Sequence, residues 1–177
     1  NMRLDIITIF PEMFKTLNQN VIGKKKKKEL ININIINIRD FSKDKHKKVD
    51  DHPFGGGAGM VIMPEPLSKA LDDSGAKGKR VVFPTPSGKQ FTESYASDLS
   101  KEEELYFICG HYEGIDQRVI DEYVTDEITI GDYVLSSGET STIVIIDALF
   151  RLIDGVITSE SLEDESFNSG LLEYPQY

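Results

Sequence analysis

Ile128-Thr-Ile-Gly-Asp-Tyr-Val-Leu-Ser-Ser-Gly-Glu139 decides how this chain is read, because a short β-branched run ends in glycines and hydroxyls and a helical period starts behind it. Gly131 and Gly138 let the backbone turn sharply and come close to a bound molecule. Thr129, Ser136, Ser137 and the main chain supply hydrogen-bonding groups. From Glu139 onward Ile143, Ile146, Phe150 and Ile153 recur at helical spacing, which places the loop at a helix N-terminus. An ordinary strand-to-helix turn has the same local grammar, so this stretch needs a second one beside it.

Leu105-Tyr-Phe-Ile-Cys-Gly-His-Tyr-Glu-Gly-Ile-Asp-Gln-Arg-Val119 supplies it, with a buried strand, a glycine-rich polar corner and then a helix. A third strand, Lys79-Arg-Val-Val-Phe83, closes on the loop Pro84-Thr-Pro-Ser-Gly-Lys-Gln90. Thr92 caps a helix predicted to run to about Leu99. Strands and helices alternate, so the expected fold is α/β, a mostly parallel sheet flanked by helices. Ligands of such sheets gather at the carboxyl ends of the strands, where all three loops lie.

Upstream, Arg3 to Phe10 reads as a first strand and Pro11-Glu-Met-Phe as a helix start, with the helix ending near Asn20. Lys24 to Lys28 is a run of lysines read as a solvated, like-charged helix face, with a specific RNA contact as the alternative. Leu30-Ile-Asn-Ile-Asn-Ile-Ile-Asn-Ile38 alternates almost perfectly and predicts a strand with one buried face. The polar segment Arg39 to Phe54 has no period, and long ordered loops are often functional. Phe54-Gly-Gly-Gly-Ala-Gly-Met60 brings backbone close to a ligand or forms a hinge; it lacks the Lys-Ser/Thr of a P-loop and the Gly-x-Gly-x-x-Gly spacing. Pro64 to Leu71 opens another helix. Thr158 to Ser166 is acidic and aperiodic, a linker or loop.

The chain has 177 residues and 39% hydrophobic content, which suits one well-cored domain. No apolar run is long enough to span a bilayer and no signal-peptide pattern opens the chain, so a cytoplasmic protein is expected. The single cysteine, Cys109, excludes a disulfide framework and a multi-Cys zinc site; on a predicted buried strand it reads as core rather than nucleophile. No metal ligands are expected. The net charge of −10 argues against a polyanionic partner, but residues 1–50 hold 12 Lys and Arg against 6 Asp and Glu, and the rest 8 against 24. A basic third on an acidic body is compatible with local nucleic-acid contact.

Cys109-Gly-His-Tyr-Glu-Gly-Ile-Asp116 and Ile130-Gly-Asp-Tyr-Val-Leu-Ser136 together closely resemble the signatures of the bacterial tRNA (guanine-N1)-methyltransferase family, TrmD, of the SPOUT class. Ile9-Phe-Pro-Glu-Met-Phe14, Val49-Asp-Asp-His-Pro-Phe-Gly-Gly-Gly-Ala-Gly-Met60 and Gly170-Leu-Leu-Glu-Tyr-Pro-Gln-Tyr177 extend the resemblance over nearly the whole chain. It implies a C-terminal trefoil knot that binds S-adenosyl-L-methionine, a cytoplasmic homodimer with composite interfacial active sites, and methylation of guanine N1 at position 37 of tRNA.

By motif, the implied cofactor pocket comprises Phe83, Pro84, Thr85, Pro86, Gly110, Tyr112, Glu113, Thr129, Ile130, Gly131, Tyr133, Leu135 and Gly138. Implied substrate contacts are His46, Asp50, Gly57 and Gly59. Arg151 matches the catalytic arginine, expected to act beside the cofactor of its own chain with the acid coming from the partner. For the base, Glu165 stands where the family has an aspartate before Ser166-Phe167, and Asp164 is the neighbouring alternative. Ser137 and Ser141 also depart from the pattern. The family has been linked to magnesium, although the methyl donor needs no metal.

Residues 1–157 are expected to form the SPOUT domain. Residues 158–177 then form a linker and the start of a helical C-terminal region that the chain otherwise lacks. Rival readings are another SPOUT RNA methyltransferase and a non-catalytic RNA- or nucleotide-binding module.

Overall fold

A computed structural model describes residues 1–18, 30–43, 50–51, 61–110, 114–131 and 138–153. The strands are β1 (Met2–Thr8), β2 (Ile31–Asn37), β3 (Asp50–Asp51), β4 (Val61–Ile62), β5 (Val81–Gln90), β6 (Glu104–Ile108) and β7 (Asp126–Thr129). The α-helices are α1 (Pro64–Ser74), α2 (Glu93–Ser100), α3 (Gln117–Tyr123) and α4 (Gly138–Leu152). Five strands make one sheet in the order β2-β1-β6-β5-β7, and every pairing in it is parallel. The expected parallel α/β sheet is therefore present.

Both faces of this sheet are covered, which explains why its central strands read as nearly continuous apolar runs. One face buries Leu4, Ile6, Val82, Leu105, Phe107 and Ile128 against Leu99 of α2 and Ile145, Ile146, Leu149 and Phe150 of α4. The other buries Ile7, Val81, Phe83, Tyr106 and Ile108 against Leu67, Ala70 and Leu71 of α1 and Val119 and Tyr123 of α3. Local chemistry sets the helix ends. Thr92 accepts from the Tyr95 N–H at 3.1 Å, and Asp116 accepts from the Arg118 N–H at 2.8 Å. Gly75 closes α1 in the left-handed region at φ 80°.

Three expectations shift. Pro11–Asn18 is a 3-10 helix, anchored by fully buried Phe14. The Ile/Asn strand buries Ile31 and Ile33 but leaves Ile35 38% exposed, because β2 lies at the sheet edge where the covering helices run out. Within the aperiodic stretch, Ile38–Phe41 forms a short 3-10 helix whose N-cap Asn37 accepts from the Arg39 N–H at 3.0 Å.

A fourth correction decides the site. β5 does not end at Phe83 but continues to Gln90 with a break, and Ile128 of β7 is aligned first with Pro84 and again with Lys89. Two segments cannot share one edge at one level. The Thr125 N–H reaches Val81 O at 2.9 Å, whereas Thr129 O is taken by the Phe91 N–H at 2.8 Å. Between the two ladders Gly88 is pressed on the peptide joining Glu127 and Ile128; a Cβ there would lie 2.5 Å from Ile128 N. β7 thus carries one half of β5 along each edge, with residues 85–88 passing across it.

Among the described residues no helix is long and apolar enough to cross a membrane.

Candidate functional site

The first half of β5, the end of β6 and the start of α4 meet at three residues. Gly138, the first residue of α4, donates its N–H to Gly110 O at 2.7 Å. Gly110 in turn lies against the Phe83 ring, since a Cβ at 110 would meet Phe83 Cε1 at 3.0 Å and Ile115 Cγ2 at 3.2 Å. Phe83, Gly110 and Gly138 belong to the three stretches the sequence singled out, and they meet at this point. Glycine at 110 and 138 is what lets them approach so closely.

The flanking residues are arranged accordingly. Pro84 is buried beside Phe83, Thr85 is half-buried and Pro86 exposed. Thr129, Ile130 and Gly131 are half-buried. The Thr129 hydroxyl donates to Gly131 O at 2.7 Å and accepts from the Gly131 N–H at 3.3 Å, which folds the chain just past β7 into a tight turn.

Asp50 pairs with Ile62 in the antiparallel β3-β4 ribbon, and Ile62 forms an isolated parallel bridge with Ile115. That bridge ties the segment expected to meet substrate to the loop expected to meet cofactor. Tyr112, Glu113, Tyr133, Leu135, His46, Gly57, Gly59, Asp164 and Glu165 lie outside the described residues, as does the lysine run.

Cys109 is fully buried, with Sγ 3.3 Å from the Thr142 hydroxyl. Burial, and then the nearby Glu139 carboxylate, push its thiol well above the ordinary value. It is a core residue without thiolate character, as its strand position implied.

Arg151 is not brought to these loops. It occupies the last turn of α4, and its neighbours Leu152 and Ile153 line a groove with Asn1, Met2 and Glu103 at the amino ends of the strands. Gly138 stands at the other end of the same helix, about 20 Å away at 1.5 Å of rise per residue. α4 runs antiparallel to the strands, so Arg151 stands at the far end of this helix from Gly138 of its own chain.

Sequence reading missed two features of the site. In the sequence Glu139 is an ordinary acid in the first turn of a helix, yet it is fully buried beside Thr8. Gly88 stood inside an ordinary Pro-Ser-Gly turn, and nothing local marks the strand it crosses.

A protein-family model described as tRNA (Guanine-1)-methyltransferase TrmD matches residues 2–177. The chain is 58% identical over 180 residues to the tRNA (guanine-N(1)-)-methyltransferase of Treponema denticola, covering 99% of this chain and 73% of that relative. Similar proteins of the same name occur in Clostridium botulinum (strain Kyoto / Type A2), 54% identical with 99% and 74% covered, and in Exiguobacterium sp., 50% identical with 99% and 74% covered. A match of this extent, on a parallel sheet whose three strand-end loops converge, means that the chain belongs to the TrmD family of tRNA (guanine-1)-methyltransferases.

Proposed function

We propose that this protein transfers a methyl group from S-adenosyl-L-methionine to N1 of the guanine at position 37 of tRNA, beside the anticodon. The observation that carries the reading is the meeting of Phe83, Gly110 and Gly138 within a chain of this family. The residues fit the donor. The tightly packed backbone at Gly110 and Gly138, with the buried Phe83 ring behind it, suits a nucleoside recognised through main-chain hydrogen bonds. Phe83 to Pro86, Gly110 to Glu113 and Thr129 to Gly138 would hold it. When bound, S-adenosyl-L-methionine supplies a sulfonium-activated methyl group. The trefoil knot belongs to this proposal, and the passage of β7 between the two halves of β5 supports it.

Guanine N1 carries a proton and is a poor nucleophile until that proton leaves, so a carboxylate within hydrogen-bond reach is the minimum the chemistry requires. Glu165, or Asp164 beside it, takes the N1 proton. Negative charge then builds toward O6, where the fixed guanidinium of Arg151 donates. Because α4 holds Arg151 about 20 Å from Gly138 of its own chain, the proposed site is built by two copies, with the cofactor loops of one and Arg151 of the other. His46, Asp50, Gly57 and Gly59 are proposed to meet the tRNA; the tie of β4 to the loop after β6 supports that placement for the Asp50 ribbon. Magnesium is kept as an accessory ion, because a sulfonium needs no Lewis acid.

Mass mapping of nucleosides after incubation with tRNA and S-adenosyl-L-methionine tests the reading. N1-methylguanosine at position 37 is expected. A product methylated on ribose, or at another base atom, would replace this reading with that of a different SPOUT enzyme.

A further inference from the structure

Glu139 is fully buried, and only one of its carboxylate oxygens has a partner among the described residues. The Thr8 hydroxyl donates to Oε2 and itself accepts from the Phe10 N–H at 2.9 Å, so the lone hydroxyl at the end of β1 is used in both senses. Oε1 is enclosed, with no partner among the described residues. Leaving such an oxygen without a donor costs on the order of 1–3 kcal/mol, and an apolar side chain of the same volume avoids that cost. Stability alone therefore does not account for a carboxylate here.

Its position does. Gly138, one residue earlier, joins the first turn of α4 to the end of β6 through Gly110 O, at 2.7 Å. Glu139 joins the same turn to the end of β1 through Thr8. β1 and β6 are neighbours in the sheet, with Ile7 aligned with Ile108. Two tethers to adjacent strands fix the helix start, and with it Gly138, in two directions.

We propose that Glu139 is a positioning residue for the methyl-donor pocket: held by Thr8, its carboxylate sets the first turn of α4 and so seats Gly138 against Gly110. The inference rests on the function proposed above. It separates Glu139 from a group retained for folding, because affinity for ligand and stability should move independently when it is replaced.

The test titrates S-adenosylhomocysteine by calorimetry into the parent, Glu139→Met, Glu139→Gln and Thr8→Val proteins, with thermal melting of each. Glu139→Met removes the enclosed oxygen that has no donor among the described residues but takes the acceptor from the Thr8 hydroxyl, so the two effects on stability oppose each other and the melting temperature should stay near that of the parent while affinity falls on the order of tenfold. Glu139→Gln keeps an acceptor for Thr8 and should stay within about threefold of the parent. Thr8→Val should reproduce the loss in Glu139→Met, and combining the two should add little, since both remove one tether. Parent-like affinity in Glu139→Met, or a loss of affinity that merely follows a fall in melting temperature, overturns the inference and leaves the family reading intact. A parent that binds no S-adenosylhomocysteine overturns both.

Discussion

Gly138 and Gly110 are in backbone contact: the N–H of the first donates to the carbonyl of the second at 2.7 Å, and a Cβ on Gly138 would stand 2.9 Å from Gly110 N. Those neighbours are main-chain atoms, which cannot swing aside as the tip of a side chain can. Gly138→Ala should force the third loop away from the second, with a stability loss of about 1–3 kcal/mol. Affinity for S-adenosylhomocysteine should fall at least tenfold by the same displacement, since about 1.4 kcal/mol is a factor of ten. Calorimetry and chemical denaturation measure the two effects. Parent-like affinity would remove this contact from the pocket.

Gly88 sets a harsher limit. A methyl there would lie 2.5 Å from Ile128 N and 2.6 Å from Glu127 C, so the crossing of β7 closes only over a bare α-carbon. Gly88→Ala is expected to cost about 3 kcal/mol or more, and to appear mainly as insoluble or low-melting protein. A well-folded Gly88→Ala variant with an unchanged melting temperature would mean that the crossing has more room than the structure gives it.

At the amino end of the same strands Arg80 forks onto Asp126 at 3.1 and 2.9 Å and also reaches Asp98 at 2.8 Å. Burial by itself would raise the Asp126 carboxyl, but hydrogen bonds from Arg80, Thr125 and Tyr95 hold it below its usual value. A carboxyl depressed in the folded state contributes stability above its unfolded value, about 3.9, and that contribution is lost as pH falls through the folded value. Arg80→Ala should therefore destabilise by about 1–3 kcal/mol at neutral pH, with a deficit that narrows as the pH drops below 4. Urea denaturation across that range measures it; a pH-independent deficit would assign the loss to packing. Tyr95, pushed up to about 12 by burial and by Asp126, should not ionise in a spectrophotometric titration until well above its ordinary range.

Cys109 should be silent to a thiol reagent until the chain unfolds, because its sulfur is fully buried and its thiol is held well above the ordinary value by burial. Cys109→Ala should keep methyl transfer within about threefold, since this small buried thiol acts by packing. A loss of several orders of magnitude in a folded variant would point instead to covalent chemistry.

The two-copy site proposed above gives a mixing experiment. Gly131→Val, which blocks the approach of backbone to ligand, and Arg151→Ala should each be nearly inactive as homodimers. A mixed dimer holds one site with both lesions and one with neither, so random mixing should restore roughly a quarter of parental activity. Absence of recovery in demonstrated heterodimers would put Arg151 and the cofactor loops in one chain.

Much of this was present in the order of residues. Alternation and apolar runs marked the strands, Thr92 marked a helix start, and the stretches that follow Phe83, Cys109 and Ile130 pointed to one candidate site because parallel strands present their carboxyl ends together. Those are local signals, written at a spacing of two or three to four residues. What the sequence left open depends on groups far apart in the chain. Arg80 and Asp126 meet across 46 positions, and Thr8 and Glu139 across 131. The excursion of β5 over β7 was invisible because Pro-Ser-Gly turns look alike whatever lies beneath them. Only the packed sheet shows that β7 fills the space, that Gly88 must be bare, and that Glu139 is buried rather than exposed at a helix start. The direction of α4 against the strands likewise carries Arg151 away from the loops that open the helix, since burial and distance belong to the assembled layers and not to any one segment.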